Sequence, residues 1–506
     1  MVFLERLRQP VVWGVLGLAL LAGSLAFGFT YAKYHALEFD AVDYSFYLVS
    51  AERIGHPSEL QQLSINPHGY DIFRFYGTEG TRSLHQSIHF EPVKYLYALL
   101  LRLIDAPATL FAFVAFVCVL PLLYLVLAVS GQTLQRGAGR RFVLCLALLY
   151  ALNPLLYLSA ADDLRPFVFL PPLFLATFIA IRCKRPLWEQ VFCLCLLLLV
   201  REEALFLGVI LLGVASTLHA RMRDTLALAT PWLLWVCATT AFYWWDGYPN
   251  NVFGAIRHHL SLATVAVLGC VAIVLGVWYL SRKVVFTGFL RRVLLLSVLF
   301  AGVGLQFLRF HLPPQYLLLH PFAWLLWIIL ACLALEFFFE YVAYSERRRG
   351  ESQTESVWWQ LCKKYAAGTC ILLAALFLFV DLFFSVGPYH LWQSYRAAAP
   401  NNAALFAGAE RIPPQSPILV DTATLQVFYQ FDQLYDFERL PAYLVPSGGD
   451  YPANTNILVN LLRTRITYVA ISPEHEATLH ILAQSASVQL VPLSSSQSFL
   501  FYKIAH

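Results

Sequence analysis

Long apolar blocks separated by short polar segments dominate the first 385 residues of the chain. Apolar and polar positions do not alternate within the blocks, and several reach the roughly 20 residues that a helix needs to cross a bilayer. The fourth to sixth are short, which is typical of tilted helices or re-entrant turns. The blocks predict about eleven transmembrane helices, near 11–30, 107–130, 142–159, 167–181, 187–200, 204–218, 226–243, 260–280, 293–308, 317–343 and 366–385.

Clusters of Lys and Arg predict the orientation, because cytoplasmic loops are enriched in both residues. With a cytoplasmic N-terminus, every cluster falls on the cytoplasmic side. The clusters are Arg6/Arg8, Arg136/Arg140/Arg141, Arg182/Lys184/Arg185, Arg221/Arg223, Arg282/Lys283 with Arg291/Arg292, and Arg347–Arg349 with Lys363/Lys364. We therefore predict a multi-pass protein of the inner membrane.

Two long segments lie on the predicted outer side. The first loop, about 31–106, contains stretches at 43–54 and 92–104 whose apolar spacing suits helices in the membrane interface. From about residue 386 the composition becomes more polar, and short β-rich runs occur at 418–420, 466–471, 488–491 and 499–504. The pattern predicts a transmembrane domain, 1–385, and a small extracytoplasmic α/β domain, 386–506.

The composition narrows the function classes further. Hydrophobic residues make up 59% of the chain and charged residues 13%, against roughly 45–50% and 25% in soluble proteins. The net charge of +4 is spread over separate loops, so we expect no nucleic-acid partner. The ten Cys lie in apolar spans or beside basic loops, which indicates a chain without a disulfide framework.

Ionisable residues recur at the predicted outer ends of the helices. A charge within the apolar depth costs about 2.5–3.5 kcal/mol, so such groups are usually paired, hydrated or functional. Because several loops bring such groups to one face of the protein, the sequence predicts a functional site there. Its candidate members are Asp40, Asp43, His89, Glu91, Asp163, Arg165, Arg201, Glu202, Glu203 and Arg309.

Structural interpretations of these groups stay open at this point. Arg201 to Glu203 can be the solvated end of a short helix with a local salt bridge. Asp162 and Asp163 can cap the following helix, with Pro166 in its first turn. Asp40 and Asp43 can cap an interfacial helix.

The chemistry that fits this set is phosphate chemistry at a membrane surface. A carboxylate removes a proton from an acceptor hydroxyl or holds a divalent cation, which makes such a cation a candidate cofactor. Arg suits a lipid phosphate because its fork donates two hydrogen bonds to one group. The sequence contains neither a phosphate loop nor a GxGxxG motif, which disfavours a nucleotide-fuelled pump.

Four short motifs carry a family resemblance: Asp43-Tyr-Ser-Phe-Tyr, His89-Phe-Glu-Pro, Asp163-Leu-Arg-Pro and Arg201-Glu-Glu. In this order, over roughly 36–215, they resemble the prokaryotic membrane-protein family called domain of unknown function 2079. That family is similar to the C-type (GT-C) glycosyltransferases, polytopic enzymes that use polyprenyl-phosphate sugar donors. The family pattern is nearer to Asp-Phe-His-Pro and Lys-Glu-Asp at the last two motifs, so proton transfer by a histidine at position 165 is not expected.

The resemblance implies a membrane glycosyltransferase that modifies an envelope glycan, lipid or protein. Its partners would be membrane lipid and a polyprenyl-phosphate sugar donor. It implies Asp43 or Asp40 as base or metal-organising carboxylate and Asp163 and Glu202 as further acids. The expected substrate-binding residues are His89, Glu91, Arg165, Arg201, Glu203 and Arg309. The alternatives are a transporter or flippase of a lipid-linked saccharide and a non-catalytic envelope-assembly protein.

Overall fold

The fold is mostly helical, with one small β-sheet near the C-terminus. The computed structural model describes residues 9–39, 47–48, 51, 91–104, 106–129, 137–162, 164–202, 204–219, 221–245, 291–296, 324–325, 327–336, 375, 388–431, 434–437, 452–495 and 499–505. The described helices are α1 Pro10–His35, α2 Val93–Leu103, α3 Pro107–Ala128, α4 Gly137–Ala151, α5 Pro154–Ala160, α6 Leu170–Arg182, α7 Leu187–Leu198, α8 Ala204–Leu218, α9 Met222–Trp245, α10 Trp327–Glu336, α11 Pro388–Ala409, α12 Pro452–Thr464 and α13 Glu476–Ala486.

Among the described helices, two are long and apolar enough to cross a membrane, α1 and α3. The count rises to three if the bent pair of α4 and α5 forms one span. Large apolar side chains such as Leu20, Phe206 and Leu234 are exposed on the helices, which supports contact with lipid. The predicted spans at 260–280 and 366–385, and most of those at 293–308 and 317–343, lie outside the described residues.

Small residues let the first helix pack closely against its neighbours. Ala19, Ala22 and Ala26 are buried on α1, and α1 packs against α3, α4 and α11. Because alanine side chains are short, they let two helix backbones approach closely. One face of the first helix is therefore packed against the bundle, while the other carries exposed apolar side chains such as Leu20 and Leu21.

The predicted span at 142–159 is divided into α4 and α5, which bend by 48° at the break. Asn153 ends the first part and caps the second, since its side chain accepts a hydrogen bond from the backbone N–H of Leu155 at 3.1 Å. Pro154 cannot donate the backbone hydrogen bond that a continuous helix would need. Asparagine at the cap followed by proline in the first turn is a typical helix start.

The C-terminal sheet has the strand order β2-β1-β3-β5-β4. Its strands are β1 Ile418–Val420, β2 Leu434–Asp436, β3 Tyr468–Ile471, β4 Gln489–Ser495 and β5 Leu500–Ala505. Strand β1 runs parallel to β2 and β3, whereas β5 is antiparallel to β3 and β4. The β-rich runs of the sequence are thus confirmed, while β2 was not predicted.

The sheet region docks on the C-terminal end of α1. Tyr34 Oη donates to the carbonyl of Gln426 at 3.4 Å, and Gln426 Nε2 donates to the carbonyl of Tyr34 at 3.2 Å. Asn402 Nδ2, on α11, donates to the carbonyl of His35 at 3.1 Å. These bonds satisfy carbonyls that the end of a helix leaves without intrahelical partners.

Candidate functional site

Three separate segments bring polar side chains together at the start of α2 and the end of α7. Glu91 Oε2 lies 2.6 Å from Lys94 Nζ, and Glu91 Oε1 lies 3.4 Å from Arg201 Nε. Tyr47 Oη donates to Glu91 Oε1 at 3.3 Å. We call Glu91, Lys94 and Arg201 the Glu91 cluster.

The Glu91 cluster is largely shielded from solvent. Glu91 is 4% exposed and Lys94 is buried, and only a small part of the Arg201 side chain is accessible. Lys94 Nζ also lies 5.1 Å from the centre of the Tyr47 ring, within range of a cation–π interaction. Burying a charge is costly unless it is paired and hydrogen-bonded, and here the carboxylate lies between two cations.

Glu202 follows Arg201 in the chain and is 2% exposed. The sequence left open that Arg201 and Glu202 form a solvated helix end. That interpretation does not fit Glu202, which is buried, whereas a small part of the Arg201 side chain is accessible. The end of α7 therefore places a cation and an acid inside the protein.

The turn between α5 and α6 lies at the same end of the bundle. Thr30 Oγ1 donates to the carbonyl of Ala160 at 3.3 Å, and Lys33 Nζ donates to that of Ala161 at 3.0 Å. Tyr97 Oη, one turn after Lys94 on α2, donates to the carbonyl of Leu164 at 3.1 Å. Tyr97 thus connects this turn to the helix that carries Lys94.

The backbone of the turn is strained and its charges lie at its edge. Leu164 has φ 54°, a left-handed conformation that is unfavourable for a residue other than glycine. Arg165 Nη1 lies 4.0 Å from Asp162 Oδ1, and both side chains are partly exposed. Pro166 starts the short 3₁₀ helix Pro166–Phe169, but Arg165 occupies the cap position, so Asp162 does not cap this helix.

Four of the ten predicted site residues fall within the described part of the chain. Glu91 and Arg201 are in direct contact, and Glu202 is the residue after Arg201. Arg165 belongs to the turn that Tyr97 holds. The other six lie outside the described residues: Asp40, Asp43, His89, Asp163, Glu203 and Arg309.

Lys94 and Tyr97 were missed by the sequence reasoning. Lys94 stands three residues after Glu91 at the start of an otherwise apolar helix, and this spacing places the two charges on one helical face. An ionisable residue in such a stretch was itself a signal of a buried partner. Tyr97 had no comparable signal, because only the folded chain brings it to Leu164.

The opposite end of the bundle carries a second buried carboxylate. Glu336 Oε1 lies 2.9 Å from Arg182 Nε, and Oε2 lies 3.0 Å from Arg291 Nε. Arg291 Nη1 also donates to Thr217 Oγ1 at 3.4 Å. We call Glu336, Arg182 and Arg291 the Glu336 cluster.

The Glu336 cluster corrects the sequence analysis, in which Arg182 and Arg291 served only to indicate the cytoplasmic side. Glu336 is fully buried, and its two arginines join three helical segments around it. The ionisable groups of the bundle are therefore not confined to the predicted outer end. Glu336 and Glu340 are the two acids within the apolar block 317–343, and an acid in such a block is a signal of a buried partner.

A third polar cluster lies at the carboxyl ends of β1 and β3. The backbone N–H of Ser472, after β3, donates to Oδ2 of Asp421, after β1. His475 Nδ1 lies 3.0 Å from Asp421 Oδ1 and 3.3 Å from Ser472 Oγ. Burial raises the pKa of Asp421, and the hydrogen bonds from Ser472 and His475 only partly oppose this.

The family resemblance implied Asp43 or Asp40 of the first loop as a base or as the carboxylate that organises a divalent cation. Within the part of the chain that the structure describes, no three His, Cys, Asp or Glu side chains form a metal-binding group. Asp40 and Asp43 lie outside that part.

No protein-family model and no curated protein matches the sequence.

Proposed function

We propose that this protein is a membrane glycosyltransferase that takes a sugar from a polyprenyl-phosphate donor. In this proposal the chain has about eleven transmembrane helices in a GT-C-like arrangement, with a cytoplasmic N-terminus in the inner membrane. The C-terminal sheet region lies on the outer side. The acceptor is an envelope glycan, lipid or protein.

The observation that carries the proposal is the Glu91 cluster. A buried carboxylate lies between Lys94 and Arg201, and the buried acid Glu202 follows directly in the chain. The guanidinium of Arg201 has five N–H donors in a fork that suits a phosphate group. In the proposed mechanism a donor phosphate shares Arg201 with Glu91, while Asp43 or Glu202 receives the proton of the acceptor hydroxyl.

The position of these charges favours an enzyme over a transporter. Glu91 directly precedes α2, and Arg201 follows α7, so the charges lie at helix ends. A transporter of a lipid-linked saccharide would be expected to hold them near the middle of broken helices. The turn at Leu164 supports the same assignment, because strained backbone is common at functional sites.

The test follows polyprenyl-phosphate sugars in membranes by mass spectrometry, with and without expression of the full-length protein. The wild type is expected to lower the amount of one such lipid. Asp43→Asn and, separately, Glu202→Gln are expected to slow that loss by about 100-fold or more, the usual contribution of a catalytic acid or base.

Glu189→Gln is the matched control. It makes the same chemical change at the start of α7, the opposite end from Arg201, and should consume donor as the wild type does. If no lipid-linked sugar is consumed by the folded wild type, or if both site variants consume it at the wild-type rate, the enzyme proposal is wrong.

A further inference from the structure

A cavity of about 480 Å³ opens between α3, α6 and α7. Its size is within the range of small-molecule pockets, about 300–1,000 Å³. It lies near Arg182 and Leu187, where α6 ends and α7 begins. The polar rim of the cavity is therefore at the end of the bundle opposite the Glu91 cluster, and the apolar lining extends along α7 as far as Leu196.

The lining of this cavity has two chemically different parts. Near the start of α7 it is polar, with Arg185, Glu189 and Tyr124. Further along α7 it is apolar, with residues such as Phe192 and Leu196 facing Leu173 of α6. From Glu189 to Leu196 the helix rises about 10 Å, so the cavity extends from a charged rim into a long apolar interior.

Aromatic residues place the rim at the surface of the membrane. Trp188 lines the cavity beside Arg185 and is 69% exposed, and Tyr124 lies on the facing helix. Tryptophan and tyrosine are enriched at the level of the lipid headgroups. Phe192, one turn further along α7, is 57% exposed and would then face the acyl chains.

The rim also carries positive charge. Arg185 Nε and Nη2 donate to Glu189 at 2.8 and 2.9 Å, and Tyr124 Oη donates to Glu189 Oε2 at 3.0 Å. Glu189 thus accepts two of the five N–H donors of Arg185. The planar guanidinium of Arg185 has further N–H donors beyond these two, and its fork suits a phosphate group, which favours an anionic headgroup.

We propose that the cavity binds one membrane phospholipid with an anionic headgroup. One acyl chain occupies the apolar interior beside Phe192 and Leu196, and the phosphate lies against Arg185. A free acyl chain would not use the charged rim, and a neutral lipid would not benefit from it. This site is separate from the Glu91 cluster and does not depend on the glycosyltransferase proposal.

The test is native mass spectrometry of the full-length protein in detergent with equal amounts of phosphatidylglycerol and phosphatidylcholine. The wild type is expected to retain one phosphatidylglycerol with a preference of about fivefold, the value of one basic residue beside an anionic lipid. Equal retention of both lipids, retention of none, or a dimer without lipid would overturn the proposal.

Two kinds of variant locate the lipid. Ala176→Phe adds a phenyl ring to the cavity lining and is expected to abolish retention. Leu20→Phe places a phenyl ring at a position that is 75% exposed on α1 and should not. Arg185→Gln is expected to lose the preference for phosphatidylglycerol, and Glu189→Gln to keep or strengthen it. Size-exclusion profiles report whether each variant folds.

Arg185→Gln and Glu189→Gln keep the proposal testable if Ala176→Phe fails to fold. Both break the same ion pair, but only the first removes the cation. If both variants lose the preference to the same extent, the ion pair matters for folding alone and the proposed phosphate contact is wrong.

Discussion

The Glu91 and Glu336 clusters each hold a buried carboxylate between two cations, but their geometry differs. In the Glu336 cluster both arginine nitrogens lie at nearly equal distances from the carboxylate, 2.9 and 3.0 Å. In the Glu91 cluster one contact is short, 2.6 Å, and the other is long, 3.4 Å. Glu336 is therefore held symmetrically, whereas Arg201 is held less tightly.

The two clusters also differ in the groups that surround them. Glu336 joins two helical segments, each of which contributes an arginine that would otherwise lie in the interior without a carboxylate partner. A second buried acid, Glu202, follows Arg201 of the Glu91 cluster in the chain. Helix α2 connects the cluster to a strained turn with partly exposed charges. The comparison indicates that one cluster stabilises the bundle, while the other has a contact that a ligand can replace.

The largest expected effect is on stability, from Glu336→Gln. Removal of the negative charge leaves Arg182 and Arg291 without the carboxylate between them. Breaking a buried ion pair by changing one partner typically costs about 3–5 kcal/mol. Measured as the free energy of unfolding in detergent micelles, this variant should be the most destabilised of the set.

The control for this prediction is Glu189→Gln, because the pair of Glu189 with Arg185 is partly exposed. A partly exposed pair contributes little, so the expected loss is below about 1 kcal/mol. Equal losses for the two variants would show that burial of Glu336 does not determine its contribution.

A smaller loss of stability is expected from Glu91→Gln. The amide can still accept from Tyr47 Oη, and the 3.4 Å contact with Arg201 that the change weakens is already long. We expect about 1–3 kcal/mol, the cost of an imperfectly satisfied buried polar group. A loss as large as that of Glu336→Gln would mean that both clusters are structural and would remove the contrast between them.

The smallest effect concerns pH and the sheet region. Burial raises the pKa of Asp421, so the folded chain binds its proton more tightly than the unfolded chain does. Stability from this group is present below the ordinary pKa of aspartate and is lost as pH rises through the raised pKa. The change is about 1.4 kcal/mol for each unit of pKa difference.

Asp421→Asn removes this titration. The wild-type free energy of unfolding minus that of the variant should therefore fall as pH rises from just below 4 through the raised pKa, and then stay constant. Measurements of both proteins across that range in one detergent cancel the other titrating groups. A difference that is constant or that increases would contradict the raised pKa.

Helices were the most predictable part of the fold. Apolar block length follows from bilayer thickness, and α1, α3 and α9 lie where blocks were predicted. The break at Asn153 and Pro154 had a local signal in the sequence, because asparagine followed by proline is a typical helix start. The sheet was partly predicted from β-rich runs. Strand β2 was missed because its sequence, Leu-Tyr-Asp, contains no β-branched residue and ends in aspartate, which is depleted in strands.

The site was less predictable, because its contacts join residues that are distant in sequence. Glu91 and Arg201 were both selected as ionisable groups at outer helix ends, yet their pairing depends on how α2 packs near the end of α7. Arg182 and Arg291 were used only as markers of the cytoplasmic side. The positive-inside rule does not say which basic side chains point into the protein and form buried ion pairs. Polar residues in apolar blocks can be noticed from sequence, but their partners cannot be named.

The bonds between Tyr34 and Gln426 have a consequence for synthesis of the protein. The two residues are 392 positions apart, which corresponds to roughly 20–80 s of translation at 5–20 residues per second. The C-terminal end of α1, the first helix that the ribosome makes, therefore forms its last hydrogen bonds only when nearly the whole chain has been synthesised. A truncated product that ends before Asn402 would leave that helix end open, and so would remain recognisable as incomplete to a protease.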